Sequence, residues 1–286
     1  MPFFVSDSDW PAPIQLWFAG PALQAEYDPQ ALTAGDRARE AARLTGRNAH
    51  EWRVSRALQR RLVIPYRCSN LSHSDGHALW AASSIHAQIG VDLERMKSVD
   101  ELALAELVAD EQELALLRSL QGQSRTRLFY RLWTLKEALV KAAGGDFPAD
   151  MFKVGIRRDS VCATESAGPI VPRPAGLPDD VDQPLPGEQA DRQNARPAPA
   201  GRWQLAGLGN GPWCGLSAMI DDDWMMAVVW PGQDLPGKLD AARLVDAASH
   251  DPVMAGIVAR QAVPGGARPL TLAQAVSFCP GSLLSP

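Results

Sequence analysis

Val54, Leu58 and Leu62 recur at four-residue spacing while Arg53, Arg56, Arg60 and Arg61 fall on other faces, which predicts an amphipathic helix. It is the second of two helical patterns between Arg37 and Leu62, broken near Gly46-Arg47-Asn48. Before them, residues 10–20 read as an edge strand kept short by prolines. Residues 77–84 and 88–94 read as two strands, the second ending in an acidic pair. Val99–Leu120 is an amphipathic helical region with Gly122 as its stop, and Ser124 is placed to cap a further helix that runs to about Ala143 and ends at Gly144-Gly145. Between Gly168 and Gly201 proline is dense and aromatic residues are absent. Such a stretch buries too little apolar surface to offset its ordering entropy, so it reads as a mobile insertion. Trp203–Leu208, Trp213–Ile220 and Trp224–Trp230 then alternate as strands with turn residues between them. After Pro231 the chain is Ala/Gly/Pro-rich with one weak helical pattern around 238–248. The simplest layout is α+β: a first half (1–97), a second half (98–232, with the Pro-rich insertion at 168–202) and a peripheral tail (233–286).

The chain has 286 residues, 46% of them hydrophobic, enough to bury a sizeable core. A net charge of −5 argues against nucleic-acid binding, but charge is unevenly spread. Nine arginines face three acids between Asp36 and Arg67, and eight acids face two bases between Asp92 and Glu113. This asymmetry suits an anionic ligand on one side and a metal on the other, though ordinary solvated helices produce it too. The four cysteines show no metal spacing and fit a reducing compartment. The first residues lack a secretory pattern, and the apolar run Trp224–Trp230 is too short to span a bilayer. A cytoplasmic protein without membrane contact is expected.

Asp92 and Glu94 alternate on one strand, so they share a face with Leu93 opposite. Two adjacent carboxylates repel unless a cation lies between them, and Mg²⁺ favours such hard oxygen ligands. Glu137 and Lys141 are four apart on the predicted helix. Alone they would form an ordinary surface ion pair of about 0.3–0.5 kcal/mol. The apolar density around them (Leu128, Phe129, Leu132, Trp133, Leu135, Leu139, Val140) leaves little of that helix in water, and charges on a buried helix need a partner or a task.

These residues resemble a known family. IGVDLER (89–95), FYRLWTLKEALVKAAGGDF (129–147) and Asn70-Leu-Ser72-His73-Ser74 are similar, in order and spacing, to three motifs of the Sfp-type 4′-phosphopantetheinyl transferases, over roughly residues 32–160. The resemblance implies two similar α/β halves packed as a pseudo-dimer, the first half on the coenzyme A side, with the site between them. It implies transfer of the 4′-phosphopantetheine arm of coenzyme A to a serine of an acyl or peptidyl carrier protein, with release of 3′,5′-ADP. Asp92, Glu94 and Glu137 would ligate Mg²⁺. Glu137 would also be the base for the carrier serine, and Lys141 would serve the leaving phosphate. Ser72, His73, Arg56 and Arg60 would contact coenzyme A, the two arginines at its 3′-phosphate.

The chain departs from the family upstream of Asn70, where a G-K-P-x segment is missing and Arg67 would be the substitute cation. Arg125, Arg127 and Arg131 are expected to offer basic surface to an acidic carrier or simply to solvate their helix. Being internally paired, the chain is expected to work as a monomer. The alternatives are a non-catalytic coenzyme A- or carrier-binding relative, and a Mg²⁺-dependent pyrophosphohydrolase, whose repeated E-x-x-E helix is absent here.

Overall fold

The computed structural model describes residues 14–41, 46–62, 66–158, 202–208, 212–232, 239–240 and 257–278. The chain enters on β1 (Ile14–Ala19) and passes through α1 (Ala34–Ala41) and α2 (Gly46–Arg61) to β2 (Cys68–Ser74), β3 (His77–Ser83) and β4 (Gly90–Arg95). Next come α3 (Glu101–Ala105), α4 (Glu111–Arg118) and the long α5 (Gly122–Ala143). The remainder is β5 (Gly155–Arg158), β6 (Arg202–Ala206), β7 (Trp213–Ile220), β8 (Trp224–Pro231), β9 (Leu239–Asp240), β10 (Ile257–Val263), β11 (Gly266–Pro269) and β12 (Leu272–Phe278). Among these residues no helix is long and apolar enough to cross a membrane. The Pro-rich insertion and most of the helical pattern at 238–248 lie outside the described residues; Leu239–Asp240 form a short strand.

The class is α+β, built as four layers. One sheet has the order β11-β10-β1-β3-β2, and the second runs β4-β8-β7-β6-β5 with β12 on β7 and β9 on β6. Strand alternation explains the layering. Leu16 and Phe18 of β1, Val91 and Leu93 of β4, and Leu216, Met226 and Val228 form the core between the sheets. The intervening positions Trp17 and Ala19 bury against Val54 and Leu58 of α2. Met219, Met225, Ala227 and Val229 meet Leu128, Leu132, Leu135 and Leu139 of α5. Each sheet therefore carries one helix on its outer face.

Five expectations change. The strand near residues 10–20 is no edge strand: β1 pairs with β3 on one side and, in parallel, with β10 on the other. The prolines at 11 and 13 precede it, so they remove no donor from its ladder. The tail after 232 is not peripheral, because β10 and β11 extend the first sheet and β12 joins the second. Its partly buried Ile257, Ala259 and Leu272 supply the inter-sheet core, and Arg61 of α2 holds the hairpin through the carbonyls of Val263 and Gly266. Strand β4, read as the end of the first half, hydrogen-bonds to β8 along its whole length. The region 99–120 is two short helices, with Asp110 and Glu113 closing a capping box at the start of the second. Gly122 (φ 53°) opens α5 instead of ending its predecessor.

Candidate active site

Strand β4 is the outer strand of the second sheet, and α5 lies almost on top of it. A Cβ on Gly90 would sit 1.9 Å from the carbonyl oxygen of Ala138 and 2.7 Å from the nitrogen of Ala142, so only glycine allows this approach. The consequence is chemical. Asp92 and Glu94, two and four residues further along, meet Glu137 and Lys141 on the facing side of α5. One carboxylate oxygen from each of Asp92, Glu94 and Glu137 lies within 4.8 Å of the others. Gly144 ends α5 in the left-handed region (φ 68°), its N–H turned back to Val140 and Lys141.

Each carboxylate is held by a named donor. The Trp133 indole N–H donates to Glu137 Oε1 (2.9 Å) from one turn earlier. Ser72 Oγ donates to Asp92 Oδ1 (2.7 Å), and Ser74 Oγ to Glu94 Oε2 (2.9 Å). The Lys141 ammonium donates to Asp92 Oδ1 (2.7 Å), Ser72 Oγ (3.2 Å) and the Val91 carbonyl (3.2 Å), with Glu137 Oε2 at 3.5 Å. Two of the three carboxylates, Asp92 and Glu137, thus share one lysine, with Glu94 beside them. Burial pushes the Glu137 carboxyl up to about 8, the Asp92 and Glu94 charges push the same way, and Lys141 pulls against them. Burial works to lower the Lys141 pKa, but Asp92 and Glu137 outweigh it and hold it above its ordinary value.

The fit to a cation rests on Asp92. Its side chain is buried, and Oδ2 has no hydrogen-bond partner. A buried carboxylate oxygen left unpaired is costly. A hard divalent cation among three such oxygens would satisfy it, keep water on its remaining positions, and lower the repulsion that raises Glu137.

The other expected residues divide. Ser72 joins the carboxylates. His73, its neighbour on β2, turns to the opposite face, where Nδ1 lies 3.1 Å from the buried carboxylate of Glu51 on α2. Arg56 pairs with Asp36 (2.8 Å) and stacks over Trp52 (4.2 Å to the ring centre), while the half-exposed Arg60 pairs with Asp28 (2.9 Å). Arg131 is not surface: it is buried and donates to the Gln274 carbonyl of β12 (2.9 Å), because the strand that covers it comes from the supposed tail. Arg125 donates back to the Leu120 carbonyl, and Arg67 is exposed. Lys136 faces away from the site and is buried against Glu113 (2.8 Å). The sequence reading assigns no role to Trp133, Ser74, Glu113 or Glu51. For Ser74 a signal existed: Asn70, Ser72 and Ser74 alternate, as one face of a strand must.

The family model of the 4′-phosphopantetheinyl transferase superfamily matches residues 88–171. Over 76 residues the chain is 43% identical to the 4′-phosphopantetheinyl transferase HetI of a Nostoc species, covering 26% of this chain and 32% of that protein. Over 105 residues it is 33% identical to the transferase ffp and 30% identical to Sfp, both of Bacillus subtilis, in each case 36% of this chain and 45% of the relative. The chain thus spans from about a third to just under half of the length of these relatives. The matched family segment contains Gly90, Asp92, Glu94, Trp133, Glu137 and Lys141, the residues that build the site.

Proposed function

We propose that the protein transfers the 4′-phosphopantetheine arm of coenzyme A to a serine hydroxyl of an acyl or peptidyl carrier protein. The observation that carries this reading is the convergence of Asp92, Glu94 and Glu137 beside Lys141, in a segment that matches the transferase superfamily. In the transfer, the serine oxygen bonds to the pantetheine phosphorus while that phosphorus loses the bridging oxygen, which departs with 3′,5′-ADP. Asp92, Glu94 and Glu137 would hold Mg²⁺, which neutralises non-bridging pyrophosphate oxygens when bound. Glu137 accepts the serine proton, directly or through water. Lys141 offsets charge on the departing phosphate.

Ser72 and His73 would contact the coenzyme A phosphates, with Arg56 and Arg60 reaching the 3′-phosphate by exchanging Asp36 and Asp28 for it. The two sheets with their outer helices are read as a pseudo-dimer, with the first sheet on the coenzyme A side. As the paired halves would lie in one chain, a monomer is the working unit. A non-catalytic binder would have no use for three carboxylates gathered beside one half-buried lysine, so the transferase reading is preferred.

Incubation with Mg²⁺, coenzyme A and a panel of apo carrier proteins tests it. A carrier should gain about 340 Da, the mass of a phosphopantetheine added through its phosphoryl group. Coenzyme A binding without mass gain on any carrier would move the reading to the binding relative.

A further inference from the structure

Strand β2 is the outer strand of one sheet and β4 the outer strand of the other, and the two are not joined by a backbone ladder. They are joined by side chains. The Asn70 Oδ1 accepts the Val91 N–H (3.1 Å), Ser72 Oγ donates to Asp92 (2.7 Å), and Ser74 Oγ donates to Glu94 (2.9 Å). These three β2 residues alternate, so one face of β2 matches the site strand rung by rung. The lower rung secures a backbone N–H on an outer strand, where it would otherwise lack a partner. The two upper rungs each hold a carboxylate of the triad.

We infer that Asn70, Ser72 and Ser74 form a positioning comb that sets the orientation of the metal-binding carboxylates, with Ser74 acting through Glu94. The inference rests on the proposed metal site and deepens it. Ser72 is shared between Asp92 and Lys141, but the hydroxyl of Ser74 has a simpler part. It is largely buried (6% exposed) and donates to one carboxylate oxygen. Donors of this kind fix a ligand's orientation and favour its ionised form, and their loss weakens metal binding about 10–100-fold. The comb also means that metal affinity depends on the first sheet, which supplies none of the three carboxylates.

The test reads Mn²⁺ binding by electron paramagnetic resonance on the full chain, with no substrate present. Glu137→Gln marks the site: if it binds Mn²⁺ as the unaltered protein does, the metal reading itself fails. If Glu137→Gln loses binding, Ser74→Ala decides the comb, with an expected affinity about 10–100-fold weaker. Unchanged affinity in Ser74→Ala overturns the inference while leaving the metal site standing. In a Glu94→Gln background the Ser74→Ala effect should vanish, because the hydroxyl acts through that carboxylate; an undiminished effect there also overturns it. Should Ser74→Ala unfold, Ser74→Thr and Ser74→Val have the same shape and differ only in the hydroxyl. Thr is expected to keep the affinity and Val to lose it, and equal affinities would refute the comb.

Discussion

Two lysines of α5, the buried Lys136 and the half-buried Lys141, lie five residues apart and both are paired with carboxylates, yet their surroundings are opposite in kind. Lys136 donates to Glu113 and to the carbonyls of Met151 and Val154. Glu113 in turn accepts the N–H groups of Asp110 and Ile156. Lys136 is the close cation of this anion, with Arg157 further off at 3.9 Å, and Gly155 packs tightly against the pair: a Cβ there would stand 2.1 Å from Glu113 Oε1. Burial pushes the Glu113 carboxyl up and the Lys136 ammonium down, with their mutual attraction opposing both. Around Lys141 the balance is three carboxylates to one cation, with Asp92 Oδ2 unpartnered. A closed pair holds α5 against α4 and β5, whereas an open one with surplus negative charge calls for a cation. Charge balance and polar satisfaction, more than burial, separate a structural lysine from a site lysine on the same helix.

The largest effect that would sharpen this contrast is in the open cluster. Glu137→Gln removes both a metal oxygen and the proposed base, so carrier modification measured by mass should fall at least ~10³-fold, while the circular dichroism spectrum stays unchanged. A variant that retains transfer would break the assignment of Glu137. In the closed cluster the loss should be in stability instead. Lys136→Met strands Glu113, and urea unfolding should show a loss of about 3–5 kcal/mol, as for other broken buried pairs. Mg²⁺ should not restore it, and the double variant Lys136→Met/Glu113→Leu should recover most of it. If Mg²⁺ rescued Lys136→Met, the two clusters would not be distinct. Gly90→Ala comes next. Its Cβ must displace α5 from β4, and a shift near 1 Å between reacting groups costs about 10²-fold in rate. The readout is the transfer rate at a temperature where the variant is still folded.

The two halves of the site, Asp92 with Glu94 and Glu137 with Lys141, were legible in the sequence because both spacings are local, whereas their union in one metal site came from the family resemblance. Two residues along a strand and four along a helix place side chains without knowledge of the fold. Five residues along a helix also put Lys136 and Lys141 on different faces. What stayed hidden depends on partners distant in sequence. Glu113 is a capping-box residue on its own helix, and nothing local announces that its carboxylate turns inward to Lys136. Arg131 looked solvated because its cover, Gln274, lies more than a hundred residues away. The pairing of β1 with β10 joins residues near 14 to residues near 257, and no local spacing announces a partner so distant in sequence. Ser74 was written in a recognised motif, but its role appears only once Asn70–Ser74 is seen as a strand edge facing β4.

The smallest expected effect concerns protons. Without a cation, Glu137 stands at about 8 against an ordinary value of 4.5. A carboxyl with a raised folded value stabilises the fold fully below its unfolded value, and that contribution is lost as pH rises towards 8. Metal-free protein in EDTA should therefore lose stability between about pH 4.5 and pH 8, and Glu137→Gln should flatten that slope. Mg²⁺ acts in the other direction, because it has to displace the proton. Its affinity should weaken by up to about tenfold for each pH unit below 8, since binding requires the ionised ligand. The rise in Tm on adding Mg²⁺, a few degrees at pH 8.5, should shrink almost to nothing at pH 6. The closed cluster predicts no such linkage: Lys136→Met should shift Tm equally with and without Mg²⁺. A Mg²⁺ effect that was the same at both pH values would mean that Glu137 does not compete for the ion, and the open cluster would lose its central ligand.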